Sequence, residues 1–422
     1  MKSRVSALAL AGVLCLSLCL SGCGGTTTAA QDLTVGISAA ETATPYDSRS
    51  DIPREDAAAV ADFGLSLLRA CGGGEESALL SPVSILSALG MTANGAEGDT
   101  LSQMEAAFGL PVSELNAAIS AILPEDENSP LSGANAIWFN VREGLSLNQE
   151  FLQTNADWYG AGVYGDVFGD STCREINQWV SDHTKGMIPS ILDRVPEDAL
   201  LYLVNALAFD CKWRDPFNPY AVNEGTFTRE DGAAETVELM HGDEYAYLEG
   251  ETVTGFVKDY QEGGYAFAAL LPKEGVTVAE ALDSLSGESL VSLLENVSGE
   301  EVIIALPKFT TDYAAGLEEV LPALGMTDAF DPALADFTAM GSAADEGPKL
   351  YINRVLHKTH LEVDEDGTKA AAATAVEAEE TAAAPETEPP KQVILDRPFL
   401  YLIIDTENNV PVFMGTVLSL EE

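Results

Sequence analysis

Residues 367–376 read GTKAAAATAV, and the chain continues over 377–390 as EAEETAAAPETEPP. With a period of two, Thr368, Ala370, Ala372, Thr374, Val376 and Ala378 share one face. Lys369, Ala371, Ala373, Ala375, Glu377 and Glu379 share the other. The first face carries no charge and nothing larger than valine; the second has its charges at both ends. A strand that slides between neighbours over a close-packed core needs such a face. The alternation ends at Glu380, which leaves a strand of about 13 residues, or about 43 Å. Alanine is also the best helix former, and by composition alone a helix or an Ala/Glu-rich linker fits better. The surroundings decide between these readings.

The chain has 422 residues, 46% of them hydrophobic and 21% charged, enough for one or two substantial cores. Lys2 and Arg4 precede an apolar run, VSALALAGVLCLSLCL, too short and wrongly flanked for a membrane span. The run ends in Leu20-Ser21-Gly22-Cys23, which resembles the bacterial lipobox. That resemblance implies cleavage before Cys23 and a lipid on Cys23, so the protein is expected as an exported lipoprotein on the outer side of the cytoplasmic membrane. Residues 24–50 are small and polar and read as a flexible tether. Without Lys2 and Arg4, the 21 basic residues fall to 19 against 68 acidic ones, a formal charge of −49. Nucleic acid is excluded as a partner, because phosphate binding needs clustered Lys and Arg. Cys15 and Cys19 leave with the signal. Cys71, Cys173 and Cys211 remain as an odd, widely spaced set that implies neither a disulfide framework nor a zinc site.

Along the chain, REDAAAVADFGLSLLRA puts Val60, Phe63, Leu67 and Leu68 on one helical face. Ser81-Pro82 reads as an N-cap followed by a proline at the first helical position. Asp99 or Thr100 opens a short helix to Phe108, and Ile176, Trp179 and Val180 share a further helical face. The runs 201–209, 265–272 and 301–307 read as buried strands. DYAAGLEEVLPALGM reads as helical, interrupted by Pro322, and the last three apolar runs close the chain as strands. Helices dominate the first half and strands the second, which predicts an α+β domain.

Catalytic signatures are missing: there is no G-x-S-x-G elbow, H-E-x-x-H or P-loop. His357-x-x-His360 places its two rings on opposite faces of a strand, with no third ligand nearby. These are read as structural histidines. The expectation is a protein that is not an enzyme and uses no metal or cofactor.

The chain from about residue 54 to 422 resembles the serpin family. The family's hinge pattern stands here as Glu365-Asp366-Gly367-Thr368-Lys369-Ala370-Ala371-Ala372-Ala373, and its C-terminal signature as Asp396-Arg397-Pro398-Phe399-Leu400-Tyr401 with Phe413-Met414-Gly415. Ser81-Pro82-Val83-Ser84, Asn205-Ala206, Lys212-Trp213 with Pro216-Phe217, Leu306-Pro307-Lys308-Phe309 and His357-Lys358 follow the family's order. The resemblance implies a metastable fold of three β-sheets and about nine helices with an exposed reactive loop. It implies a suicide-substrate inhibitor, acting as a monomer, whose cleaved loop inserts into the central sheet and drags the acylated serine (or cysteine) protease to the opposite pole. It also implies that Glu365, Gly367, Thr368, Ala370, Ala371, Ala372, Ala373 and Thr374 form the hinge. Ser81, Ser84, Asn205, Trp213 and His357 are implied to control the sheet's conformation. The domain plan is then a signal over 1–22, a lipidated Cys23 and tether over 23–53, and a serpin domain over 54–422 with its loop at about 365–392.

Two departures stand out. Lys369 replaces the family's usual acid, and Gly367 to Pro398 spans 31 positions, longer than the commonest spacing. Counting from Gly367 puts the bait bond between Thr381 and Ala382. Counting back from Pro398 gives Thr387, which would place Pro385 in the inserting strand, where it has no N–H for the ladder. Small residues around Thr381 suit the shallow pocket of an elastase-like protease. Cleavage after Glu380 is the runner-up for the bond. A non-inhibitory serpin acting as carrier or chaperone is the alternative function, and a ligand-binding surface lipoprotein a third.

Overall fold

The computed structural model describes residues 30–39, 52–123, 129–141, 144, 146–196, 199–261, 264–342, 349–368 and 390–421. The signal over 1–22, Cys23, hinge residues Ala370, Ala371, Ala372, Ala373 and Thr374, and the Thr381–Ala382 bond lie outside the described residues.

Helix Arg54–Ala70 opens with Glu55 and Asp56 and ends with Arg69, charges that complement its dipole. It buries Val60, Phe63, Leu67 and Leu68. Ser81 caps helix Pro82–Ala93 by accepting from the Ser84 N–H at 3.2 Å, with Pro82 at the first position. Every residue of that helix is buried, which explains why it lacks a polar face. The described residues form nine α-helices and three main sheets of eight, six and four strands.

The strands of the eight-stranded central sheet are, in chain order, Gln31–Asp32 (β1), Leu131–Asn140 (β2), Gly162–Asp166 (β3), Leu201–Phe209 (β4), Cys211–Lys212 (β5), Phe309–Gly316 (β6), Arg354–Val363 (β7) and Gly367–Thr368 (β8). They lie in the order β1-β3-β2-β4-β7-β8-β5, with β6 along the outer side of β7. Helix Asp170–His183 crosses one face of this sheet and packs Ile176 and Val180 with Tyr202, Val204 and Ala206. The six-stranded sheet and helix Pro82–Ala93 pack with the other face in the main core. As expected from their apolarity, all residues of Leu201–Phe209 and Tyr265–Pro272 are buried. Val302–Pro307 departs from that expectation only at Ile303, which is exposed.

Two sequence readings need correction. The stretch read as helical from Asp312 is strand β6 through Gly316, paired antiparallel with β7, and the helix shrinks to Val320–Ala323. Alternating burial from Phe309 to Gly316 shows that edge pairing outweighs alanine's helix propensity there. The tether reading fails over residues 30–39. Leu33 and Ile37 pack on the main core, and the Leu33 N–H donates to the Val163 carbonyl at 2.8 Å. Gly165 leaves room for Leu33, whose Cδ1 would lie 3.2 Å from a Cβ there.

A slot in the central sheet as candidate functional site

β4 and β7 run parallel but pair over only three residues, Tyr202, Leu203 and Val204 with Arg354, Val355 and Leu356. Above these, Asn205–Phe209 bonds to β2 on one side and His357–Val363 to β6 on the other. Between the facing edges, no further strand is paired among the described residues, which leaves a slot that is a ready template for strand addition.

The top of the slot is held by a hairpin. Asp364 to Gly367 turn the chain, with the Asp364 N–H donating to the Gly367 carbonyl at 3.0 Å. The Asp364 carboxylate accepts from the N–H groups of Asp366 and Gly367 at 2.8 and 3.0 Å. Burial pushes its pKa above the ordinary value despite those bonds. Thr368 then pairs with Val363 on one side and Cys211 on the other. Gly367 is required here, because a Cβ would meet the Cys211 carbonyl oxygen at 2.4 Å and the Lys212 Cα at 2.7 Å. The neighbouring Glu365 carboxylate meets the Lys308 ammonium at 2.7 Å, and this hydrogen bond lowers its pKa.

Thr368 is fully buried, and its hydroxyl lies 2.6 Å from that of Tyr260. Tyr260 stacks on Trp213 at 4.6 Å between centroids. Trp213 binds the turn twice: its amide donates to the Asp366 carbonyl at 3.0 Å and its indole N–H to the Asp364 carbonyl at 2.9 Å. Beneath lies Lys258, buried, with its ammonium 4.6 Å from the Phe217 ring centroid and 2.6 Å from Glu244. The first hinge residues are therefore already seated in the sheet. Tyr260 and Lys258 escaped sequence reasoning because neither stands near the hinge in the chain and neither lies in a motif.

Of the five residues that the resemblance implies to control the sheet's conformation, Ser81, Ser84 and His357 are joined by hydrogen bonds, and Ser84 and Asn205 line one cavity. The Ser81 N–H donates to His357 Nε2 at 3.1 Å, and the Ser81 hydroxyl donates to the Val412 carbonyl at 2.7 Å while accepting from Ser84 N–H. Because Nε2 accepts, the ring is neutral with its proton on Nδ1. Burial pushes the His357 pKa down to about 3. His360 faces the other way, 2.9 Å from Asp312. Asn205 instead donates through Nδ2 to Asn135 Oδ1. Its Oδ1 and the Ser84 hydroxyl are buried without a partner among the described residues, and both residues line a cavity of about 330 Å³. Trp213 sits apart, at the hinge.

A family model described as Serpin (serine protease inhibitor) matches residues 58–420. An uncharacterized serpin-like protein of Thermococcus kodakarensis is 31% identical over 372 residues, covering 86% of this chain and 85% of that protein. The native-state crystal structure of the thermophilic serpin tengpin superposes with a TM-score of 0.84 at 40% identity, covering 93% of this chain and 100% of that one. Its latent-state structure gives 0.75 at 38% identity, with 88% and 99% covered. Human thyroxine-binding globulin, solved in complex with thyroxine, gives 0.73 at 25% identity, with 87% and 99% covered. The sequence and the fold thus find their counterparts in one group of proteins: this chain belongs to the serpin family, the serine protease inhibitors.

Proposed function

We propose that this serpin is inhibitory, trapping an elastase-like serine protease by inserting its cleaved loop into the slot. The observation that carries the reading is a register. Thr368 already opposes Val363. Continued antiparallel, the same hairpin sets Ala370 against Leu361, Ala372 against Thr359, Thr374 against His357 and Val376 against Val355. Directly opposed residues share a face of the sheet. These β7 residues are its buried ones, so the small, uncharged face of the loop would meet the core.

The chemistry belongs to the protease: its nucleophile attacks the bait carbonyl, and the amine side departs to leave an acyl-enzyme. The serpin contributes a strand that enters before water hydrolyses the ester. Thyroxine-binding globulin shares the fold, so the fold alone does not separate inhibitor from carrier; the small-residue face favours the inhibitor. Glu379 and Glu380 beside the bond, and the acidic surface, favour a basic protease and a salt-sensitive association.

Incubating the mature protein with serine and cysteine proteases, followed by mass spectrometry of the released peptide, tests the proposal. The expected result is an SDS-stable complex with an elastase-like enzyme and a new N-terminus at Ala382. An N-terminus at Thr381 marks the glutamate-specific runner-up, and one beyond Pro385 overturns the hinge count. We also propose that Cys23 anchors the protein to the membrane; Cys23→Ser should release it to the soluble fraction.

A further inference from the structure

The N-terminal segment joins the central sheet from a particular end. Gln31 lies opposite Gly165 and Asp32 opposite Tyr164, antiparallel. Gly165 is level with Phe139, and Phe139 with Leu201. Thr368 pairs with Cys211, past the other end of β4. The ten residues from Leu201 to Cys211 correspond to about 33 Å of strand. The chain preceding Ala30 therefore leaves the body at the pole opposite the hinge.

Side chains hold the exit in place. The Ala30 N–H donates to Glu175 of helix Asp170–His183 at 2.7 Å. Gln153, in helix Gln149–Tyr159, donates through its side chain to the Ser38 carbonyl at 2.8 Å. Leu33 and Ile37 supply the apolar contact.

With the lipid on Cys23, only six residues, 24–29, join it to Ala30, a contour of at most about 25 Å. The hinge then points away from the membrane, where an incoming protease can reach it. Insertion reverses the geometry. The register places Thr381 level with Leu350, beyond the Arg354–Tyr202 pair, so the acylated protease arrives at the pole from which the tether departs. Four strand spacings, about 19 Å, separate β1 from the slot. A protease of about 230 residues is on the order of 45 Å across. It overlaps the tether exit and does not fit beneath a tether of that length. With residues 30–39 undocked, the next described residue is Ile52, which is 29 residues from Cys23 and about 100 Å in contour.

We infer that residues 30–39 are a releasable clamp, which turns the pole opposite the hinge toward a lipid surface and undocks on that surface when a protease is trapped. This rests on the anchoring and trapping readings above. The test is hydrogen exchange of residues 30–39 in lipidated protein on phosphatidylcholine vesicles and in soluble Cys23→Ser protein, before and after reaction with an elastase-like serine protease. The expected result is a protected Leu33 amide in three of the four states and at least tenfold faster exchange in the vesicle-bound complex. A 15-residue Gly/Ser insertion after Gly25 should restore protection in that complex. Full protection in the vesicle-bound complex overturns the inference, as does equal loss in the soluble one. Failure of the underlying readings looks different. Protein that does not partition to vesicles removes the anchor, and Cys23→Ser protein that is cleaved without complex formation removes the trap. Either outcome also removes the clamp.

Discussion

Thr368, which the resemblance implies to lead insertion, is buried against Tyr260. Thr368→Arg would bury an unpaired charge, at a cost of several kcal/mol. The expected outcome is a protein cleaved as a substrate without forming SDS-stable complexes, checked by gel stoichiometry. His357 gives a second residue-scale prediction. Its folded pKa, about 3, lies below the ordinary 6.5, so the unfolded chain binds the extra proton between those values. Stability from this group is complete above pH 6.5 and declines as pH falls toward 3, by on the order of 1.4 kcal/mol per pH unit. Thermal midpoints between pH 7 and 5 should fall less steeply in His357→Gln than in the wild type. His357 and Thr368 were legible because motif and strand period coincide on them. Tyr260 was not, because its contact with Thr368 spans 108 residues of chain.

The elements tell a similar story on a larger scale. Buried strands such as Leu201–Phe209 announced themselves by continuous apolarity. Phe309–Gly316 did not, since Ala314 and Ala315 favour a helix locally and only pairing with Arg354–Val363 makes them strand. The N-terminal strand was illegible for a related reason: two residues, Gln31 and Asp32, hold too little pattern, and Leu33 and Ile37 have a destination only once the sheet edge exists. The hinge hairpin carries the prediction at this scale. Lys308 and Glu365 are each about a quarter exposed, so their pairing stabilises the hairpin by about 1 kcal/mol. Lys308→Ala should loosen the turn, read as several-fold faster hydrogen exchange at Gly367 and Thr368.

For the molecule as a whole, the slot means that the described fold is not the best-paired arrangement of its own strands. Cutting the loop should let the hinge segment complete the ladder, and the thermal midpoint of cleaved protein should rise sharply above that of intact protein. An unchanged midpoint would favour the non-inhibitory reading.

The three paired residues below the slot, Tyr202 to Val204 against Arg354 to Leu356, have to separate before any strand passes between them. They act as a timer. Two or three ladder bonds are together on the order of 2–3 kcal/mol, which alters a rate by roughly 30- to 150-fold. Were that seam tighter, the acyl-enzyme would hydrolyse first and the protease would escape; were it looser, the intact molecule would close on its own loop and retire unused. On the trapping mechanism proposed above, the same short seam would set both the working lifetime of this protein and the speed of the enzymes it can catch.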